Sequence, residues 1–164
     1  MLKLAANLDW LFTELPIAAR FQAAKNAGFR GVEGIFLWQH PQATLLAAQR
    51  QTGLPVALMN APAGHWQQGE RGLAALPGRD EEFRRSLNLV RESATALGCR
   101  RIHVMSGLRC DDLTLNAQRT LLIDRLRSAC DVMAEAGIDV LIEPLNPQDM
   151  PGYMIDNFPL AESI

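Results

Sequence analysis

The sequence contains few cysteines, and their spacing gives no sign of a disulfide framework or a thiolate metal site. Cys99, Cys110 and Cys130 are odd in number, lie far apart and form no Cys-x-x-Cys pair. We therefore interpret all three as buried, unreactive thiols, which is the usual state of such residues in a folded domain.

Excess charge and long apolar runs are also lacking. The formal net charge of -2 and the pI near 5.9 give no electrostatic reason to expect binding to nucleic acid or to an anionic membrane. No stretch approaches the roughly 18 apolar residues that span a bilayer. The N-terminal segment MLKLAANLDW is too short and too polar for a signal peptide. We expect a cytoplasmic protein in which residues 1–164 form a single domain.

The sequence does contain a regular alternation of strand and helix patterns. Short β-branched or apolar runs predict five strands, at 3–7, 31–36, 55–60, 101–106 and 139–143. Helical spacing of apolar residues, with stops at glycine, predicts helices at 17–28, about 41–53, 80–97 and 115–136, and a further helix that opens at 158.

Regular βα alternation predicts a parallel sheet covered by helices, in an α/β fold. An open doubly wound sheet and a (β/α) barrel of the TIM type both fit this pattern. The first strand-to-helix turn, ANLDWLFTE, contains no glycine, so the dinucleotide-binding fingerprint is absent, and no phosphate-binding Gly-x-x-x-x-Gly-Lys loop follows the first strand. We therefore favour the barrel, here incomplete, with about five parallel strands and flanking helices.

One long segment, 61–79, interrupts the alternation. It reads APAGHWQQGERGLAALPGR and is rich in glycine and proline, which predicts a loop of the length that is often functional. His65 lies in it as a candidate lid or substrate-binding residue, or as an ordinary exposed side chain. Arg71 and Arg79 are suited to binding a substrate carboxylate, or alternatively to pairing with Glu70 or with Asp80, which can cap the following helix.

Polar residues recur near the ends of the predicted strands. Asn7, Asn60 and Glu143 close three strands, and Glu33 lies inside another. The carboxyl ends of barrel strands meet on one face, which carries the active site. Carboxylates and amides gathered there would suit a hard cation or a polyhydroxy substrate.

Each of these residues also has a structural interpretation. Asn7 and Asn60 can cap loop backbones, and Glu33 can pair with an arginine or with backbone donors. Glu143 is harder to explain structurally, because it ends an apparently buried strand, Ile142 before it points toward the helices and Pro144 cannot continue the ladder. His103, inside a strand, is interpreted as a satisfied core residue rather than a ligand.

Three segments of the chain resemble the hydroxypyruvate isomerase family, which includes the 2-oxo-tetronate isomerases and belongs to the xylose-isomerase-like barrels. They are GFRGVEGIF, APAGHWQQGERGLAALPGRDEEFR and LIEPLNPQDMPGY. The resemblance implies a (β/α)₈ barrel and an isomerase that interconverts an aldehyde and a ketone of a small hydroxy or oxo acid, hydroxypyruvate or a 2-oxo-tetronate, through an ene-diolate.

The resemblance also implies a metal site. The family holds a divalent cation with two glutamates, an aspartate and a further polar ligand, and the two glutamates shuttle the proton. Glu143 matches the first glutamate, as catalytic residue and metal ligand. Asp149 stands six residues later, where related epimerases have an acidic residue that contacts substrate. Mg²⁺ or Mn²⁺ would suit such oxygen ligands. The remaining ligands lie on later strands, so this chain alone is expected to hold a metal weakly or not at all.

A complete barrel of this kind needs roughly 250 residues. We therefore expect the 164-residue chain to be part of a longer protein or to cover its open barrel edges by self-association, and to lack isomerase activity alone. Two other functions stay open at this point. One is a non-catalytic half barrel that serves binding or assembly, and the other is an enzyme similar to the metal-dependent endonucleases that act on abasic DNA.

Overall fold

A computed structural model describes residues 2–164, and its elements follow the predicted alternation. The strands are β1 Ala5–Asn7, β2 Gly31–Gly34, β3 Val56–Asn60, β4 Arg101–His103 and β5 Asp139–Leu141. The α-helices are α1 Ile17–Asn26, α2 Gln42–Thr52, α3 Asp80–Leu97, α4 Leu115–Ala134 and α5 Phe158–Glu162. Short 3₁₀ turns cover Leu37–Gln39 and Trp66–Gln68. None of the helices within 2–164 has both the length and the hydropathy to cross a membrane.

The five strands form one parallel sheet in the order β1-β2-β3-β4-β5. Every strand therefore pairs with its sequence neighbour, and the order never reverses. A doubly wound sheet has a reversal point, whereas a barrel winds in one direction. The predicted α/β fold of the TIM type is confirmed, with β1 and β5 at the two edges of the described sheet.

The helices pack against one face of the sheet, which we call the outer face. On four adjacent strands the side chains of this face are completely buried, and they are Ala6, Val32, Met59 and Ile102. α3 contributes Leu87 and Val90 to the same core, both without exposed area. The outer face is therefore the main hydrophobic core of the molecule.

Three strands end earlier than the sequence predicts, and for β2 and β4 nearby loops take over the backbone hydrogen bonds. β2 stops at Gly34, since the Asp9 carboxylate accepts the next two backbone N–H groups. Beyond β4, Ser106 forms an antiparallel bridge with Gly72 of the long loop. β5 is an exposed edge strand, not the predicted buried one, and Glu143 lies two residues past its end.

Two further expectations need correction. Asp80 does not cap α3 with its side chain; its carboxylate instead accepts a hydrogen bond from Arg125 of α4 at 2.9 Å.

Of the cysteines, Cys99 is buried as predicted, but Cys110 is half-buried and Cys130 is exposed. Cys130 lies on α4 at a position that the sheet does not cover.

Candidate functional site

A cavity of about 570 Å³ lies at the carboxyl ends of the strands, and we call it the strand-end cavity. It brings together six of the residues singled out from the sequence, namely Asn7, Glu33, Asn60, Arg71, Glu143 and Asp149. Trp10, Trp66, His103 and Met105 are among its other lining residues. The expectation that these polar side chains meet at one face agrees with the structure.

The alternation of the strands explains why these side chains share one cavity. On β3 and on the segments that continue β4 and β5, the lining residues are two positions apart: Leu58 and Asn60, His103 and Met105, Glu143 and Leu145. Residues at i and i+2 lie on the same face of a strand. This is the inner face of the sheet, opposite to the helices.

Asn7 performs two tasks, one structural and one at the cavity. Its side-chain carbonyl accepts the backbone N–H of Asp9 at 3.0 Å, which fixes the turn after β1. Its amide nitrogen donates to Oε1 of Glu33 at 3.3 Å. This contact orients the Glu33 carboxylate along the inner face, where β1 and β2 pair Asn7 directly with Glu33.

Glu143 points to the inner side, with its side chain 62% exposed. Ile142 packs toward the helices, as the alternation predicts. Desolvation raises the pKa of the Glu143 carboxyl, and the negative charge of Glu33 raises it further. A carboxylate whose pKa is raised is a stronger base than an ordinary surface carboxylate.

His103 is the ionisable residue of the described lining that sequence reasoning did not assign to the site. Its side chain is 3% exposed, and Nδ1 lies 3.6 Å from Oε2 of Glu143. Nε2 has no hydrogen-bond partner among the residues that the structure describes, so His103 is not the satisfied core residue we expected. Burial lowers its pKa to about 4. The i, i+2 alternation along β4 is the sequence signal that could have placed it on the inner face.

Arg71 provides the positive charge of the strand-end cavity. Its guanidinium carbon lies 4.1 Å from the centre of the Trp66 ring. Nη1 donates to the backbone carbonyls of Trp66 and Glu70, at 2.9 and 2.8 Å. These bonds leave Nε and Nη2 available, so a fixed guanidinium edge can meet an anion.

Arg79 does not reach the cavity, because two carboxylates of its own neighbourhood hold it. Its guanidinium pairs with Glu70 at 2.7 Å and with Glu82 at 2.6 Å. The hydrogen bond from Arg79 is the main reason that the pKa of Glu70 is lowered. Of the two interpretations offered for Arg79, the pairing with Glu70 is the observed one.

His65 lies outside the strand-end cavity. Glu70 accepts its backbone N–H at 2.6 Å, and its side chain lines a separate recess of about 430 Å³ with Phe36, Trp38 and Trp66. Ligand atoms of His65, Glu70 and Glu82 lie within 4.8 Å of one another. Arg79 already pairs with both carboxylates there, and its positive charge makes this cluster poorly suited to a divalent cation.

Two close contacts fix the loop segments around the cavity. The backbone N–H of Ser106 donates to the Tyr153 hydroxyl at 3.0 Å, and Tyr153 has no exposed area. A Cβ added to Gly72 would lie 2.3 Å from the carbonyl oxygen of Met105. Gly72 is therefore required where the long loop crosses the end of β4.

The long loop is also held from the helix side. The buried Arg125 of α4 donates from Nη1 to the carbonyls of Leu73 and Leu76, both at 2.6 Å. Its Nη2 pairs with Asp80. The loop that carries Arg71 is thus fixed to both the sheet and the helices.

Asp149 lies at the rim of the cavity on the loop after β5. Its carboxylate accepts the side-chain amide of Asn146 at 2.7 Å, and its backbone N–H donates to the side-chain carbonyl of Asn146 at 2.9 Å. These two bonds give the exposed Asp149 a defined orientation without burying it.

Comparison with known proteins agrees with the resemblance noted from the sequence. The chain is 44% identical over 156 residues to the 2-oxo-tetronate isomerase of Cupriavidus necator, covering 95% of this chain and 60% of that protein. It is 38% identical over 153 residues to the hydroxypyruvate isomerase of Escherichia coli, covering 93% of this chain and 59% of that protein. The chain therefore spans about 60% of the length of these curated relatives.

Solved structures show the same fold. A crystal structure from Brucella melitensis described as an AP endonuclease of family 2 superposes with a TM-score of 0.89 at 42% identity, covering 94% of this chain and 60% of that one. The Escherichia coli 3-keto-D-glucoside 4-epimerase superposes with a TM-score of 0.72 at 23% identity, covering 89% and 57%. A model of the xylose isomerase-like TIM barrel family matches residues 21–163, and the chain belongs to that family.

Proposed function

We propose that the protein acts as, or forms part of, an isomerase that shifts a carbonyl group along a small hydroxy or oxo acid. The observation that carries this proposal is the position of Glu143 on the inner face, in a cavity that also holds Glu33, Asn60 and Arg71. Relatives at 38 and 44% identity bear the names hydroxypyruvate isomerase and 2-oxo-tetronate isomerase, which supports the same substrate class.

The charges of the cavity suggest how such an acid would bind. Arg71 offers its free guanidinium edge on the loop side, whereas Glu33 and Glu143 lie on the strands. The substrate carboxylate would pair with Arg71, and its hydroxyl and carbonyl groups would then extend toward Asn60 and Glu143. Asp149 at the rim would accept a hydrogen bond from a substrate hydroxyl.

In this orientation Glu143 would carry the proton. Its carboxylate takes the proton from the carbon beside the carbonyl and returns it to the neighbouring carbon, so that an ene-diolate forms and collapses to the isomer. The raised pKa of Glu143 favours this role, because proton transfer is most effective when the pKa of the base approaches the working pH.

The inner face offers a partial set of ligands for a divalent cation. Glu143 and the side-chain carbonyl of Asn60 are hard oxygen donors of the kind that Mg²⁺ and Mn²⁺ take. Such a cation would stabilise negative charge on the substrate oxygens. Among the described residues, the carboxylates of this cavity do not form a group of three with ligand atoms within 4.8 Å of one another, so we propose that ligands from outside residues 2–164 contribute.

The edges of the sheet lead to a related proposal. β1 and β5 each have one neighbour in the described sheet, and Leu141 on the inner side of β5 is 37% exposed. We propose that residues 1–164 form the N-terminal part of a (β/α)₈ barrel, whose further strands cover these edges, or that a second copy covers them. Sedimentation of the purified chain would distinguish a monomer from a self-associated form.

A nucleic-acid substrate is the second candidate, because the Brucella melitensis structure is described as an endonuclease. The strand-end cavity argues against it. Glu33, Glu143 and Asp149 line the cavity with Arg71 as the one basic residue in its described lining besides the buried His103, and a phosphate backbone needs several cations. A non-catalytic half barrel is the third candidate. A full gene product that turns over neither acid nor abasic DNA would favour it.

The direct test is to incubate the full product of the gene with hydroxypyruvate or a 2-oxo-tetronate, in D₂O with Mg²⁺ or Mn²⁺. NMR would detect the isomeric product and deuterium at the carbon that exchanges its proton. We expect both signals. Cleavage of abasic DNA without turnover of either acid would contradict the proposed function.

A further inference from the structure

Among residues 2–164, the imidazole of His103 finds no hydrogen-bond partner that would stabilise the fold. It is 3% exposed, and its Nε2 has no partner in the part of the chain that the structure describes. A buried polar atom without a hydrogen-bond partner destabilises the fold relative to a bonded one. For packing alone, an apolar side chain of similar volume would suit this position better than histidine.

The other ring nitrogen faces Glu143. Nδ1 lies 3.6 Å from Oε2 of that carboxylate. This distance exceeds a normal hydrogen bond. Bonds between site residues are often long in the free protein and shorten when the ligand binds, however, so a small movement of Glu143 would complete this one.

The two residues differ in how firmly the fold holds them. His103 lies within β4, between Asn60 of β3 and Leu141 of β5 in the sheet register. Glu143 lies beyond the end of an edge strand, with its side chain mostly exposed. A rigid strand position can therefore orient a side chain on a less constrained segment.

We propose that His103 is a positioning residue for Glu143, donating a hydrogen bond from Nδ1 to the carboxylate. The ring would fix the direction of the Glu143 oxygens and leave Nε2 without a proton. This inference rests on the proposed function, in which Glu143 carries the proton and binds the cation. It adds His103 to the candidate site, although the sequence suggested only a role in the core for this residue.

The tautomer of His103 tests the inference without any ligand. Nitrogen-15 NMR of the full product of the gene distinguishes a ring protonated on Nδ1 from one protonated on Nε2. We expect the Nδ1–H form in the parent chain and loss of that preference in Glu143→Ala. His65, which is exposed and does not line the strand-end cavity, should not change. An Nε2–H ring in the parent, or a tautomer that ignores Glu143→Ala, would overturn the proposal.

Binding of Mn²⁺ to the full product of the gene provides the second readout. His103→Leu should weaken the Mn²⁺ affinity at least about five-fold without lowering the unfolding midpoint, because the fold loses no hydrogen bond. His103→Asn places an amide nitrogen near the position of Nδ1 and should restore most of the affinity. If His103→Leu binds Mn²⁺ as tightly as the parent, the positioning role is refuted.

A further variant separates this inference from the proposed function. Glu143→Gln should reduce Mn²⁺ binding more than His103→Leu does. If Glu143→Gln leaves Mn²⁺ binding unchanged, the proposed cation site is wrong, and the tautomer measurement alone then decides whether His103 positions Glu143.

Discussion

The two faces of the sheet are formed by the same strands, but they differ in burial and in the polarity of their side chains. On the outer face Ala6, Val32, Met59 and Ile102 are completely buried against helices. On the inner face the alternate positions are mostly polar and partly open to the strand-end cavity. The outer face stabilises the fold. The inner face is less tightly packed, and it brings carboxylates, amides and an imidazole together.

The largest difference between the faces in the free energy of unfolding is expected at Ile102 on the outer side of β4. Ile102→Ala should lower the free energy of unfolding by about 3 kcal/mol, because it leaves a cavity in a fully buried layer. Leu141→Ala, on the inner side of the adjacent β5, should cost less than about 1 kcal/mol. Chemical denaturation measures both. Equal losses would mean that the faces do not differ in this way.

The next effect concerns the loop that forms one wall of the inner side. Arg125→Met should cost about 2 kcal/mol, since the carbonyls of Leu73 and Leu76 lose a charged donor in a buried place. Arg127→Met on the same helix is the matched control, because that side chain is 74% exposed and should change stability by less than about 0.5 kcal/mol. Indistinguishable denaturation curves for the two variants would show that Arg125 does not hold the loop.

A smaller effect is expected where the loop after β5 meets the loop after β4. Tyr153→Phe removes the acceptor of the Ser106 N–H, a buried group, and should cost about 1 kcal/mol. Amide hydrogen exchange at Ser106 should accelerate more than exchange at Ile102 in the outer layer. Unchanged exchange at Ser106 would contradict the proposed role of this hydrogen bond.

The smallest effect is the pH dependence of the ion pair between Glu70 and Arg79. Arg79 holds the pKa of Glu70 below its ordinary value of 4.5, so the pair stabilises the folded chain above that pH. The stabilisation is lost as pH falls through the lower folded-state pKa. Glu70→Gln should therefore be less stable than the parent by up to about 1 kcal/mol at pH 7. The difference should shrink toward pH 3, and one that grows on acidification would contradict this account.

The sequence predicted the outer face better than the inner one. Apolar spacing and glycine stops located α1 to α4, and Gly53 and Gly98 do adopt the left-handed conformation at helix ends. The ends of β2, β4 and β5 were placed too late. At β2 and β4, loop groups such as the Asp9 carboxylate and the Tyr153 hydroxyl bind the backbone N–H groups that would continue the strand. No local pattern reveals such a distant partner.

The sequence also predicted part of the candidate site. Asn7, Asn60 and Glu143 stand at or near strand ends, where barrel topology alone brings them together. The sequence did not decide between Arg71 and Arg79, because their partners Trp66, Glu70 and Glu82 became neighbours only through the fold. His103 was misjudged because a missing hydrogen-bond partner is visible only in three dimensions.

The most direct test of the inner face as an isomerase site is the kcat of Glu143→Gln in the full product of the gene, acting on hydroxypyruvate or a 2-oxo-tetronate. The substitution keeps the shape and removes the base, so we predict a loss of at least about 100-fold with an unfolding midpoint within experimental error of the parent. Undiminished turnover by Glu143→Gln would contradict the account.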